Sequence, residues 1–283
     1  MPDAFSYCQQ EVRDADKDRF LATLFAPAAY RPPLFALYAF NIEIARVTEI
    51  VSGPMPGEIR LQWWREVLSG DREGEGAANP VAAALMAAVK QYAIAPERLS
   101  AIVDVHTFDL YDDPLQTLDD LDNYAVMTQS ALIDIAADIL GADRSETMML
   151  IRSAGIAYTI AGIIGGLARH AVRGQLYIPL EVLERHGVTR EEILARQVSE
   201  PLKAALAELR RHARRQLAAA QADMAFAPPA ILPALLPVAL VRPVLRPMER
   251  RGYEPFDVQP LSQLTRQWLL WRAARDPKRI FAA

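Results

Sequence analysis

Apolar residues recur at helical spacing along almost the whole chain, and the alternation typical of strands is nearly absent. Glycine, proline and charged clusters divide this pattern into segments. The pattern predicts helices at 3–17, 34–51, 56–68, 80–92, 96–110, 118–139, 145–170 and 201–224, and two more within 228–274, the first of them interrupted by prolines. Glycine and charge at 70–76 predict a loop, and 175–179 predicts an extended stretch before a short helix. No long linker divides the chain, so we predict one all-α domain over 1–283.

Several residues mark where these helices begin and end. Pro32 and Pro33 suit the first turn of the helix at 34–51. Thr189, followed by Glu191 and Glu192, is typical of an N-cap with acidic residues in the first helical turn.

Charge and hydropathy exclude several classes of function. The net charge of −4 over 283 residues does not favour nucleic-acid binding. No run of about 18 apolar residues is free of charge and proline, so we do not expect a transmembrane segment. The polar first 20 residues resemble neither a signal nor a transit peptide. We expect a cytoplasmic bacterial protein, with any membrane contact peripheral.

The residues that commonly bind metals are scattered. Cys8 is the only cysteine, which excludes an internal disulfide, and we expect an ordinary half-buried thiol. The four histidines show no zinc-binding spacing; they are His106, His170, His186 and His212.

Two apolar segments carry a resemblance to a known family. They read FALYAFNIEIARVTEIV at 35–51 and GIAYTIAGIIGGLARHAVRGQLYIPLE at 155–181. Both resemble the signature regions of the squalene/phytoene synthases, and Tyr7-Cys8 and Asp122–Tyr124 add to the likeness. The resemblance implies an isoprenoid-synthase-type helical bundle around a central cavity.

The family's signature motifs bind magnesium and diphosphate. The first is DDxxD or DxxxD, and the second is NxxRDxxxD followed by an RGxxYLP-like turn. Magnesium neutralises the departing diphosphate, and carboxylates at i and i+4 share one helix face from which they can hold an ion.

This chain departs from the family at those positions. Only Glu49 keeps a carboxylate, while Arg173-Gly174 and 177–179 match the family turn and fix the register. The corresponding positions here are Ala45, Arg46 and Glu49 in the first segment and Gly162, Gly165, Gly166 and His170 in the second. Arg46, Arg169 and His170 place positive potential where metal ligands belong, so we expect no catalytic residue and no metal.

Two roles for these cations remain open. Arg46 or Arg169 could pair with Glu43 or Glu49 and seal a former pocket. Alternatively, arginine could replace magnesium and bind an anionic ligand directly. The candidate anion contacts are Arg46, Arg169, Arg173 and Tyr177.

The helical glycines also allow two interpretations. Each costs about 1 kcal/mol against alanine inside a helix. We favour close packing of a neighbouring helix over a channel widened for a lipid chain.

Three other features invite simpler interpretations. We predict that an acidic run forms a loop and a helix N-terminus rather than a metal site; it comprises Asp109, Asp112, Asp113, Asp119, Asp120 and Asp122. Of Trp63 and Trp64, we expect one in the core and one partly exposed, where it could mark a partner surface. The arginines at 210, 211, 214 and 215 predict a solvated face, with contact to an anionic membrane as the other interpretation.

Three segments, the first of which overlaps the signature region at 35–51, are similar to a degenerate subgroup of the family: LFALYAFNIEIARV, MTQSALIDIAADILG and QWLLWRAA. That subgroup assists assembly of respiratory NADH dehydrogenase, complex I. The resemblance implies a noncatalytic protein whose partners are complex I subunits or assembly intermediates, and a prenyl lipid is a second candidate ligand. The alternative is an active prenyltransferase that condenses two isoprenoid diphosphates with magnesium.

Overall fold

A computed structural model describes residues 3–111, 113–143 and 147–281. The protein is 77% helical, and no strand occurs in these three ranges. The all-α prediction is therefore confirmed. The α-helices of the described residues are α1 (Ala4–Ala15), α2 (Lys17–Thr23), α3 (Arg31–Ala45), α4 (Val47–Ile50), α5 (Pro54–Ser69), α6 (Glu73–Ala78), α7 (Pro80–Tyr92), α8 (Pro96–Val105), α9 (Leu118–Ala125), α10 (Ala131–Ile139), α11 (Met148–Gly165), α12 (Leu167–Val172), α13 (Leu180–His186), α14 (Arg190–Leu194), α15 (Glu200–Asp223), α16 (Leu232–Leu235), α17 (Val241–Leu245) and α18 (Gln263–Arg275).

Shorter helical turns connect these elements. A π-helix, Val126–Ser130, lies between α9 and α10. The 3-10 helices are Ala28–Tyr30, Phe108–Leu110, Met224–Phe226, Pro229–Ile231, Leu236–Leu240, Arg246–Glu249 and Pro277–Ile280.

The predicted helix ends follow from local chemistry. Pro32 and Pro33 lie in the first turn of α3, as expected. Thr189 and Glu192 form a capping box at α14, in which each side chain bonds the backbone at the other position. Thr117 and Asp120 do the same at α9.

Several predicted helices are divided in the structure. The helix at 34–51 breaks at Arg46 into α3 and α4. The helix at 3–17 ends at Ala15, because the Asp16 side chain caps the separate helix α2. Part of the predicted loop at 70–76 is helical as α6.

The predicted helix at 145–170 breaks at Gly166 into α11 and α12. Its expected start at Ser145 lies outside the described residues.

The chain forms two compact units, each assembled from three segments. Unit 1 comprises Met1–Tyr111, Ala131–Thr147 and Pro228–Leu236, and unit 2 comprises Asp112–Ser130, Met148–Ala227 and Pro237–Ala283. The assignment of 1–283 to one domain stays a prediction.

Helix α3 is the central element of unit 1. It packs against α1, α2, α7 and α10. Its side chains are apolar on almost every face, as expected of a helix that neighbours surround, and Phe35, Leu37 and Phe40 are fully buried. Cys8 on α1 is also fully buried rather than half-buried, and burial raises the pKa of its thiol to about 12.

Helix α11 has the same place in unit 2. It packs along α15 and contacts α9, α17 and the π-helix. Ser130 at the end of the π-helix donates a hydrogen bond to the Arg152 carbonyl at 3.1 Å. A Cβ on Gly155 would lie 2.6 Å from the Ser130 backbone nitrogen, so only glycine allows this close approach.

Two segments of the described residues have the length and hydropathy of a membrane span. They are Met148–Gly165 and Pro229–Glu249, and 67% of each is buried inside the protein. Core helices of soluble proteins meet the same criteria, so these segments are weak evidence for a span. Met148–Gly165 contains Arg152 and Pro229–Glu249 contains prolines, so neither is the uncharged, proline-free run that the sequence analysis sought, and the absence of a transmembrane segment stays a prediction.

Candidate functional site

The first signature segment ends at the break between α3 and α4. Ala45 is the last residue of α3, Arg46 occupies the break, and Glu49 lies in α4. All three are exposed to solvent. Glu49 supplies the only carboxylate of the three.

The Arg46 guanidinium forms an ion pair with Glu11 on α1, at 2.8 Å. The partner is neither Glu43 nor Glu49, which the sequence interpretation proposed. The side chains of Arg46 and Glu11 are 45% and 28% exposed, so this ion pair is well hydrated and contributes little to stability. Arg46 is thus already neutralised by a carboxylate from another helix.

A pocket of about 590 Å³ lies beside this ion pair, within unit 1. Its walls include Glu11, Glu43, Arg46, Arg60, Trp63 and Trp64. The exposed apolar side chains of Ile50 and Ile59 extend its lining. The pocket therefore combines an aromatic wall with charges of both signs.

One carboxyl group of this pocket, that of Glu43, has a shifted pKa. Burial and the nearby Glu11 carboxylate raise the pKa of Glu43 to about 7, although Arg60 and a hydrogen bond from Trp64 act in the opposite direction. A carboxyl group with this pKa changes its protonation near neutral pH.

The two adjacent tryptophans differ as predicted. Trp64 is 3% exposed and packs edge-on against Phe40, with the ring centroids 5.0 Å apart. Trp63 is partly exposed, and its indole N–H donates to Glu75 at 3.1 Å. A partner surface at Trp63 stays a prediction.

The second signature segment spans α11 and α12. Gly162 and Gly165 are exposed. A Cβ on Gly162 would meet nothing within 4 Å, and one on Gly165 would meet only Val244, at an ordinary 3.8 Å. Close packing of a neighbouring helix therefore does not explain these two glycines. The glycine that does permit close packing is Gly155.

Gly166 and His170 lie one helical turn apart. A Cβ on Gly166 would lie 2.8 Å from the His170 imidazole, so the glycine makes room for this ring. His170 packs edge-on against Tyr177 at 5.0 Å, and Tyr177 contacts Tyr124 at 5.8 Å. The last motif position and the Tyr of the following turn thus form an aromatic cluster with α9.

The seven motif positions do not fit magnesium. Magnesium requires several oxygen ligands, usually including carboxylates, and these positions supply one carboxylate, at Glu49. Arg169 and Arg173 beside the second motif are both exposed cations. Anion binding by Arg46, Arg169, Arg173 and Tyr177 stays a prediction.

The acidic run forms helix caps and side-chain pairs. Asp119 and Asp120 lie in the first turn of α9, as predicted. Asp109 contacts His106 at 2.6 Å, and Asp122 contacts His212 at 2.7 Å. Asp112 lies outside the described residues. Within the described ranges, no group of three or more His, Cys, Asp or Glu side chains is placed to hold a metal.

The arginine cluster on α15 is only partly a solvated face. Arg211 and Arg215 are exposed, but Arg210 is 7% exposed, with its guanidinium 5.4 Å from the centre of the Tyr253 ring. Burial lowers the pKa of Arg210. The sequence expectation fails there because positions 210 and 211 point to different sides of one helix.

Sequence reasoning missed two contributors to these sites. Glu11 lies 35 residues from Arg46, so no local spacing relates them. The proximity of Ser130 to Gly155 is also nonlocal, although a glycine inside an apolar helix is a signal of close approach.

The family model for squalene/phytoene synthase matches residues 12–272. Among characterised proteins, the chain is 27% identical over 276 residues to the rat NADH dehydrogenase (ubiquinone) complex I, assembly factor 6, covering 95% of this chain and 83% of that protein. It is 28% identical to the human protein of the same name over 88% of this chain and 75% of that one. The 15-cis-phytoene synthase of Synechocystis is 24% identical over 68% of this chain and 60% of that protein.

Solved structures agree with the fold. A dehydrosqualene synthase crystallised with a ligand has a TM-score of 0.84 at 18% identity, covering 97% of this chain and 96% of that one. The squalene synthase HpnC of Alicyclobacillus acidocaldarius has a TM-score of 0.78 at 22% identity, covering 89% and 95%. With the family match extending over both units and the helical fold shared along the chain, this protein belongs to the squalene/phytoene synthase family.

Proposed function

We propose that this protein assists assembly of respiratory NADH dehydrogenase and does not catalyse prenyl transfer. The observation that carries the proposal is the chemistry of the seven motif positions, where six of the family's polar ligands are replaced by Ala45, Arg46, three glycines and His170. The similarity to complex I assembly factor 6 over 95% of the chain supports the assembly role.

Prenyl transfer is the competing function, supported by the phytoene synthase relatives and the retained carboxylate of Glu49. Purified protein incubated with farnesyl or geranylgeranyl diphosphate and magnesium separates the two. We expect no more pyrophosphate release from the wild type than from Glu49→Ala. Release that Glu49→Ala abolishes would overturn the noncatalytic proposal, because it would show that the carboxylate takes part in the reaction.

The assembly role is tested by deleting the gene from the organism that encodes it. We expect less assembled NADH dehydrogenase on native gels and less NADH:quinone activity in isolated membranes. The wild type and Glu49→Ala should restore both equally, since no step of prenyl transfer is needed. Unchanged complex levels in the deletion strain would contradict the assembly role.

The proposal includes a bound partner, either a prenyl lipid or a segment of a complex I subunit. Organic extraction of the purified protein followed by mass spectrometry tests for the lipid. A photoreactive residue in place of Ile59, at the rim of the unit 1 pocket, tests for the subunit segment. Absence of both an extracted isoprenoid and a crosslinked complex I subunit would contradict this part of the proposal.

The cytoplasmic location, peripheral at the membrane, also stays a prediction. Cell fractionation tests it, and recovery of the protein only in a detergent-resistant integral fraction would contradict it.

A further inference from the structure

Helix α18 presents large apolar side chains to solvent. Leu264 is 78% exposed, Trp268 52% and Trp271 43%. Their spacing places them in one stripe along the helix. Leu270 and Ala273 on another side of the helix are fully buried, while the stripe stays uncovered. The exposure is therefore a property of a docked helix.

The charged residues of the segment that contains this stripe are almost all basic. The segment 263–281 carries five basic residues, namely Arg266, Arg272, Arg275, Lys278 and Arg279. Its one acidic residue, Asp276, is paired with Arg279 at 2.9 Å. The whole chain has a net charge of −4, so this segment is a local cationic region on an acidic protein.

The tryptophans and arginines are organised in pairs. The Arg272 guanidinium lies 4.3 Å from the centre of the Trp268 ring, and that of Arg275 lies 4.0 Å from the centre of Trp271. Each pair combines an amphipathic indole with a guanidinium cation close to its ring. Tryptophan prefers the headgroup region of a bilayer, and cations near an anionic leaflet bind its phosphates.

We propose that the exposed face of α18, together with Lys278, docks this protein on the surface of a membrane containing anionic phospholipids. Trp268 and Trp271 enter the headgroup layer, while Arg275 and Lys278 contact lipid phosphates. A 13-residue helix with this composition lies in the plane of the interface and does not span the bilayer. The inference does not depend on the proposed role in NADH dehydrogenase assembly.

The charge pattern favours a lipid surface over a protein partner. A bilayer offers a uniform negative field to every cation of the segment, so it needs no matching arrangement of carboxylates. A protein partner would instead need acidic groups placed individually opposite these cations.

Vesicle flotation of the full-length protein tests the proposal. We expect it to float with phosphatidylcholine vesicles containing roughly one-third phosphatidylglycerol and not with phosphatidylcholine alone, and to be released by salt. Each cation near such a surface contributes about fivefold to partitioning, so Arg275→Ala with Lys278→Ala should lower it about 25-fold. The Trp268→Ala, Trp271→Ala variant should lower vesicle partitioning more than the Arg275→Ala, Lys278→Ala variant does, while leaving the melting temperature nearly unchanged.

Matched variants elsewhere test the location. Arg211→Ala with Arg215→Ala removes two exposed cations from α15, and we expect at most a small decrease in flotation. Blue-shifted tryptophan fluorescence on adding anionic vesicles should vanish in Trp268→Phe with Trp271→Phe, leaving Trp63 and Trp64 as unresponsive emitters.

Three outcomes would overturn the proposal. The first is no flotation with anionic vesicles at low salt. The second is flotation that the α15 variant reduces as much as the α18 variant. The third is vesicle binding unaffected by either α18 variant while the same variants lose a protein partner in pull-downs, which would assign the stripe to a protein interface.

Discussion

Gly155 and Gly162 lie seven residues apart on α11 and should respond oppositely to the same substitution. We expect Gly155→Ala to destabilise the protein by about 1–3 kcal/mol, because its Cβ would press on the Ser130 backbone, which cannot rotate away. We expect Gly162→Ala to stabilise it by roughly 0.5–1 kcal/mol, because the Cβ meets open space and alanine favours the helix.

Urea unfolding of both variants measures these changes in the free energy of unfolding. Each is the control for the other, since both add the same methyl group to the same helix. A loss of stability in Gly162→Ala would contradict the argument that the space beside Gly162 can accept a methyl group.

Glu43 should make stability depend on pH. Its pKa is raised from 4.5 to about 7 in the folded protein, so folding favours the protonated form. This contribution is fully present below about pH 4.5 and is lost as pH rises to about 7. The shift corresponds to at most about 3 kcal/mol, and less in practice because the side chain is not fully buried.

We therefore expect Glu43→Gln to remove much of the decline in unfolding free energy between pH 5 and pH 8, measured by urea titration. Glu11→Gln should reduce the decline partly, because the Glu11 carboxylate raises the pKa of Glu43. An equal decline in the wild type and Glu43→Gln would refute this assignment.

At the scale of elements, Arg98 connects α8 to α10. Its guanidinium contacts Asp134 at 2.7 Å and also Asp138, one turn further along α10. The three side chains are 19–23% exposed, so their ion pairs are partly shielded from water. We expect Arg98→Ala to cost about 2–3 kcal/mol, because it leaves two neighbouring carboxylates without this cation.

The matched control is Arg46→Ala, which breaks the better hydrated pair with Glu11. We expect it to cost less than about 1 kcal/mol in the same urea titration. Equal losses in the two variants would contradict the argument from shielding.

The helices themselves were mostly predictable, and the irregularities inside them were not. Proline in the first turn and the N-cap at Thr189 are local signals, and the structure confirms both. Apolar residues at helical spacing lie on both sides of the π-helical turn at Val126–Ser130, so periodicity alone predicts one continuous helix there. Ser130, the last residue of this π-helix, contacts Gly155, which is 25 residues away in the sequence. No local sequence pattern indicates such a contact.

For the whole molecule, the family and the fold could be read from the sequence because signature turns fix the register of the motifs. Which residues replaced the metal ligands was also legible, since it depends only on that register. The partner of Arg46 could not be predicted from the sequence, because Glu11 reaches Arg46 only through the packing of α1 on α3. The α18 surface was equally hidden, since QWLLWRAA does not reveal which of its apolar residues the fold buries.

The absent carboxylates lead to a prediction about ligand-dependent stability of the whole protein. A ligand at about 100 times its dissociation constant stabilises the folded state by about 2.7 kcal/mol. For a chain of this size that raises the melting temperature by roughly 5 °C. A synthase that binds farnesyl diphosphate through magnesium should show this rise only when both are present.

We expect this protein to show less than about a 1 °C difference between farnesyl diphosphate with magnesium and farnesyl diphosphate with a chelator. A magnesium-dependent rise that Glu49→Ala abolishes would show that one carboxylate suffices for metal binding. A rise without magnesium that Arg46→Ala abolishes would instead mean that arginine has replaced the metal, even though Glu11 competes for the same guanidinium.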